Sequence, residues 1–253
     1  MAVTIAIAGK GGTGKTTVAA LLVSRLVVAG RTPVLAVDAD PNACLDAALG
    51  VEVRQTVGRV REAARDLAGQ GMGAGVSKQQ MLELKIAESL VEADDFDLIA
   101  MGRCEGPGCY CYANNVLKRV IEQLADKYPV VVIDNEAGLE NLSRRIVRRV
   151  DLLVMVTDPS KAGLTTVARL HELAGEMGLE CGAMAIVVNR LRDGRLPDGA
   201  AGLQERTGAD ELLALPVDPE LAELAERGGS LLGFDGDPAI GEQIDRLIAR
   251  AGL

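Results

Sequence analysis

The chain has 253 residues, 48% hydrophobic and 25% charged, an ordinary globular balance that suits one α/β domain over residues 1–253 with a single well-covered core. Aromatic residues make up only 2% and Trp is absent, so packing must rely on Val, Leu, Ile and Ala. A formal charge of −9 excludes general attraction to nucleic acid or anionic lipid, and with no membrane-length apolar run and no basic leader before Val3 the expected location is the cytoplasm.

Residues 3–8 read as a buried strand and residues 18–29 as a helix. Between them, Gly9, Lys10, Gly11, Gly12, Thr13, Gly14, Lys15, Thr16 and Thr17 satisfy the pattern of a glycine, four residues, then Gly-Lys-Thr. Glycines fold such a loop into a nest of amide N–H groups at a helix N-terminus, where phosphate binds. Lys15 then faces the β and γ phosphates of a nucleoside triphosphate, and the Thr16 hydroxyl is offered to Mg²⁺, a hard cation that prefers oxygen. A glycine-rich surface turn is the bland alternative, and the strand, loop and helix in register argue against it.

Lys10, directly after the first glycine, resembles the signature lysine of the deviant P-loop ATPases, which include septum-positioning and partition ATPases and the nitrogenase iron protein. The resemblance implies a doubly wound, mostly parallel α/β sheet with helices on both faces and Mg-dependent hydrolysis of ATP to ADP. It also implies a homodimer in which Lys10 reaches the partner's nucleotide.

Residues 33–37 form a second short apolar strand that ends at Asp38, Ala39, Asp40, Pro41 and Asn42, where the carboxyl ends of such strands bind ligands. By resemblance to switch I of those ATPases, Asp40 positions or activates the attacking water and Asp38 lies near the magnesium; a helix cap before Pro is the alternative for Asp40. Residues 56–93 look helical, with a glycine-rich break at 69–75, and read as an insertion between strands.

A third strand at 96–101 runs into a segment holding three of the five cysteines, Cys104, Cys109 and Cys111; Cys44 and Cys181 lie elsewhere. Nothing about the chain suggests export, so a disulfide framework is not expected. Residues 112–127 are helical by pattern, which puts Cys109 and Cys111 at a loop-to-helix junction where a thiolate is favoured. Two thiolates one residue apart cannot close a tetrahedral site alone, but two chains meeting face to face would supply four sulfurs to one ion. Buried small residues or a redox pair are the alternatives, and Cys104 ranks below the other two as a ligand.

A fourth strand at 130–133 leads to Asp134, Asn135, Glu136, Ala137, Gly138, Leu139, Glu140 and Asn141. Four apolar residues before Asp134 form the Walker B arrangement that holds the water shell of Mg²⁺, and Gly138 then offers its amide to the γ-phosphate as the switch II pivot. Together with Leu142, Ser143, Arg144 and Arg145 and with Cys109-x-Cys111, this stretch resembles the accessory ATPases that mature carbon monoxide dehydrogenase by supplying nickel. The resemblance covers nearly the whole chain. It implies that Cys109 and Cys111 bind one nickel or zinc ion between two ATP-joined subunits, with carbon monoxide dehydrogenase, or the related acetyl-CoA synthase, as client. Relatives in that family carry His at the position of Asn141, a departure in this chain.

Arg144, Arg145, Arg148 and Arg149 read as a solvated helix face or a docking surface, and are left out of the site. Residues 152–157 and 184–188 are further strands, with a helix at 163–177 that carries His171 away from the cysteines. The second strand ends at Asn189 and Arg190, which lack the Asn-Lys-x-Asp pattern of guanine recognition, so adenine is expected. By resemblance, Asn189, Pro216, Val217 and Asp218 contact it. The tail from 237 has Ile240, Ile244, Leu247 and Ile248 at helical spacing and should pack on the body. Two other readings stand beside the maturation ATPase: an electron-transfer ATPase with an iron–sulfur cluster between subunits, and a positioning or partition ATPase.

Overall fold

The computed structural model describes residues 2–60, 88–103, 117–119, 121–138 and 149–253. Eight strands form one sheet: β1 (Val3–Gly9), β2 (Val34–Asp38), β3 (Leu90–Glu92), β4 (Phe96–Ala100), β5 (Val130–Asp134), β6 (Arg149–Thr157), β7 (Glu180–Leu191) and β8 (Glu211–Pro216). Their spatial order is β3-β4-β2-β5-β1-β6-β7-β8, and every pair is parallel except β3 with β4. The β1 strand therefore sits mid-sheet between β5 and β6, where successive crossovers turn from one edge toward the other. Ligands bind at the carboxyl ends of strands at such a reversal.

Alternation along the strands sorts side chains onto two apolar faces. Ile5, Ile7, Val132, Val154 and Val187 share one core cluster with Val18, Leu22 and Leu26 of α1 (Lys15–Val28), Leu45 and Leu49 of α2 (Leu45–Leu49), and Ile240, Ile244 and Leu247. Ala6, Ala8, Val131, Ile133, Met155 and Ile186 share the other with Leu164, Val167 and Leu170 of α3 (Lys161–Glu176), and with Leu117 and Ile121. Helices thus cover both faces, the doubly wound arrangement expected.

Side chains start three of the helices. The Ser160 hydroxyl accepts from Gly163 N–H at 3.0 Å to cap α3, and Asp218 accepts from Leu221 N–H at 2.8 Å to cap α5 (Pro219–Arg227). Asp237 caps α6 (Pro238–Arg250) through Ala239 N–H at 2.9 Å, with Pro238 in the first turn. As the spacing predicts, α6 packs on the body: Ile240, Ile244 and Leu247 are at most 2% exposed. Ion pairs from Arg25 to Asp245, Arg246 to Glu211 and Arg250 to Asp210 fasten its outer face. A short helix α4 (Ala200–Thr207) precedes β8.

Three elements depart from the sequence reading. Leu90–Glu92, read as the end of a helical insertion, is the antiparallel edge strand β3, too short to show alternation of its own. Residues 61–87, including the glycine-rich break, lie outside the described residues. Arg149, read with a helical arginine stripe, is the first residue of β6, exposed and 3.8 Å from Asp151. The β7 strand continues past Asn189 to Leu191, with an irregular register against β8 between Val188 and Leu191. Among the described residues, no helix is long and apolar enough to cross a membrane.

Candidate functional site

The loop after β1 is shaped by close approach on two sides. Gly9 pairs with Val156 of β6, and a Cβ at Gly9 would lie 2.2 Å from the Val156 carbonyl oxygen. Gly14 has φ +95°, and a Cβ there would lie 2.3 Å from Asn189 Nδ2. Both positions need glycine. Inside the loop, the Thr13 hydroxyl donates to the Lys10 carbonyl at 2.8 Å, and Asn189 Nδ2 donates to the Thr13 carbonyl at 2.9 Å. The Lys15 ammonium, 7% exposed, donates to the Lys10 carbonyl at 3.4 Å. Gly14 caps α1 without a side chain, so no side-chain oxygen occupies the first-turn amides. A glycine nest, the positive end of a 14-residue helix and an inward lysine together suit a phosphate chain.

Facing this cradle are two buried carboxylates in cross-strand register, Asp38 on β2 and Asp134 on β5, each 1% exposed. Asp134 Oδ2 accepts from the Thr16 hydroxyl at 2.6 Å, while Asp134 Oδ1 accepts no hydrogen bond. Burial, then the charge of Asp38, pushes the Asp134 carboxyl up to about 7, against the pull of Thr16 and Lys15. Burial likewise lifts Asp38 to about 6, although its oxygens accept from the N–H groups of Asp40, Cys44 and Leu45 at 2.8–3.0 Å. Asp38 thereby fixes the turn that carries Asp40, whose own carboxylate accepts from the backbone and side-chain amides of Asn42. A buried, unpartnered carboxylate oxygen beside a hydroxyl fits a hard divalent cation, which would draw its remaining oxygen ligands from phosphate and water. Among the described residues, no group of three or more His, Cys, Asp or Glu is arranged to hold a metal by itself.

Gly138, at φ +92°, donates its N–H to the Gly9 carbonyl at 2.9 Å and forms an isolated antiparallel bridge with it, so the predicted pivot touches the phosphate loop directly. Lys10 is exposed at the same mouth. Hydrogen bonds from Ser160 hold the Asp158 carboxyl below the usual range, and the charges of Lys10 and Arg190 add to that effect. Sequence spacing did not single out Asp158, Arg190 as a charged neighbour of the loop, or Asn135; the first follows a strand end with no motif of its own, and the last two stand next to motif residues.

The residues expected at the base take on structural work. The Asn189 side chain donates to the loop and its Oδ1 accepts from Arg190 N–H at 2.9 Å. Both Asp218 oxygens are engaged, by the N–H groups of Leu221 and Asp237. Pro216 ends β8, and Val217, 48% exposed, donates its N–H to the Leu191 carbonyl. Cys104, Cys109, Cys111, Asn141, Arg144, Arg145 and Arg148 lie outside the described residues. Cys44 and Cys181 are exposed, and burial followed by the neighbouring carboxylates raises the Cys44 thiol above its ordinary range.

A family described as an AAA domain matches residues 2–179. The chain is 42% identical over 227 residues to an uncharacterized ATP-binding protein of Methanocaldococcus jannaschii, covering 88% of each. It is 29% identical to the carbon monoxide dehydrogenase accessory protein CooC of Rhodospirillum rubrum, over 97% of this chain and 94% of that one. The septum site-determining protein MinD of Pyrococcus horikoshii, solved in complex with Mg-ADP, superimposes with a TM-score of 0.69 at 24% identity, covering 98% of this chain and 94% of that one. With the phosphate loop, the paired carboxylates and the sheet order in place, the chain belongs to the AAA domain family as a P-loop ATPase with the fold of the MinD and ParA proteins.

Proposed function

We propose that this ATPase assists metal insertion into carbon monoxide dehydrogenase, with ATP joining two copies of the chain and Cys109 and Cys111 of each holding one nickel or zinc ion as cargo between them. The observation that carries this reading is the end-to-end similarity to CooC, 97% of one chain and 94% of the other, in a sequence that places Cys109-x-Cys111 just before a helix. Residues 117–119 and 121–124 are helical, and Leu117 and Ile121 share a core cluster with Ile133, the neighbour of Asp134. The chain from the cysteines therefore enters the strand that ends at the nucleotide site, a short path for coupling.

In this mechanism Lys15 and the loop amides hold the phosphates of ATP, and Asn189, Pro216, Val217 and Asp218 border the adenine. Thr16 and Asp134 hold Mg²⁺, with Asp38 nearby. Bound between Thr16 and Asp134, such an ion would supply positive charge against the transferred phosphoryl group. Asp40 orients the attacking water, and Lys10 serves the nucleotide of the partner subunit. Gly138 follows the γ-phosphate and relays its loss to the segment behind it. A membrane-positioning role is weaker, because α6 buries Ile240, Ile244 and Leu247 in the core instead of presenting them.

The test is maturation of nickel-free carbon monoxide dehydrogenase under limiting nickel. The wild-type chain with ATP should raise recovered activity at least several-fold, and Lys15→Ala and Cys109→Ser/Cys111→Ser should each fail. Equal recovery with the double cysteine variant would refute the metal-site role.

A further inference from the structure

Asn135 follows the Asp134 carboxylate and is 1% exposed. It lies just past the end of β5. Its Nδ2 donates to the Ile7 carbonyl at 2.8 Å, while its backbone N–H also donates to that oxygen at 3.2 Å. Its Oδ1 is buried and accepts no hydrogen bond.

This is an unfavourable place for an amide if stability were its purpose. The Ile7 carbonyl would keep a donor from the Asn135 backbone if the side chain were removed, so the Nδ2 bond is partly redundant. The buried Oδ1 has lost water without gaining a partner, which destabilises the fold. A buried polar atom left in this condition calls for an explanation outside the resting packing. Three residues on, Gly138 N–H donates to the Gly9 carbonyl, and this is the amide that in the proposed function follows the γ-phosphate.

We infer that Asn135 is a positioning residue for switch II. Its buried Oδ1 accepts a main-chain N–H from the turn between Asn135 and Gly138 when Gly138 leaves Gly9 for the γ-phosphate. The exchange conserves hydrogen bonds within the protein: Gly9 gives up a donor and Asn135 gains one. The γ-phosphate, by taking the Gly138 N–H, decides between the two positions. The inference rests on ATP binding at the Gly9–Thr17 loop.

The experiment compares wild type with Asn135→Leu, which keeps the branching without polar atoms, and Asn135→Ala, which relieves any crowding. Melting temperature, affinity for ADP and for a nonhydrolysable ATP analogue with Mg²⁺, and kcat are measured on each. The expected pattern is a melting temperature at or above that of wild type, ADP affinity within about twofold, analogue affinity about tenfold weaker, and a similar fall in kcat. An unchanged ratio of analogue to ADP affinity with unchanged kcat would overturn the inference. A lower melting temperature with equal losses for both nucleotides would also overturn it, by making Asn135 merely structural. A wild-type chain that bound neither nucleotide would remove the ATP reading of the loop and this inference with it.

Discussion

Asp134 carries the clearest single-residue consequence. Its folded carboxyl, near 7, lies above the ordinary value of 3.8, so the folded chain holds a proton that the unfolded chain has already released between those limits. Without a divalent cation, its contribution to stability therefore falls as pH rises through that window and stays lost above it. Asp134→Asn removes the penalty. In EDTA the variant should unfold at higher denaturant than wild type at pH 8, by on the order of 2–4 kcal/mol, and the difference should shrink toward zero by pH 4. A variant less stable than wild type at pH 8 would show that the carboxylate is compensated in the folded chain. The place of Asp134, at a strand end against Thr16, was legible from four apolar residues before an acid. The buried state of Asn135 was not, because an unsatisfied amide oxygen is a property of packing and leaves no spacing behind.

At the scale of elements, legibility followed the strength of the local pattern. The continuous apolar runs of β1, β2 and β5 mark parallel strands covered on both faces, and each was readable to within a residue or two. The α1 helix starts at Lys15, three residues before the predicted onset, because Gly14 in the left-handed region opens it inside the motif. The β8 strand and α5 passed unread: Glu211–Pro216 mixes apolar residues with a strand-ending proline, and α5 has no fully buried residue to set a periodic face. Asp218 shows a similar limit. Its oxygens join the start of α5 to the start of α6, a contact between segments 19 residues apart that no local pattern announces. The tail was legible from spacing alone, and its burial makes a prediction. Leu247→Ala should cost about 2–5 kcal/mol in urea unfolding while leaving ADP affinity unchanged, since Leu247, 0% exposed, belongs to the core cluster and not to the phosphate loop. A cost below about 1 kcal/mol would mean that α6 is a loosely held appendage.

For the whole molecule, the β1 strand gathers the parts. It ends in the phosphate loop and has β5 with Asp134 on one side and β6 leading to Asp158 on the other, so nucleotide, cation and Lys10 meet at one edge of the sheet. Lys10 is exposed there, and its charge helps hold the Asp158 carboxyl below the usual range. That exposure fits the proposed sharing of nucleotide between copies, in which Cys109 and Cys111 would form the cargo site. The deciding measurement is the mass and metal content of anaerobically purified chain with ADP and with a nonhydrolysable ATP analogue, for wild type and Cys109→Ser/Cys111→Ser. The account predicts a dimer with one nickel or zinc ion in the analogue state, and a metal-free dimer for the double variant. Iron with labile sulfide, or a dimer without metal in every nucleotide state, would contradict it.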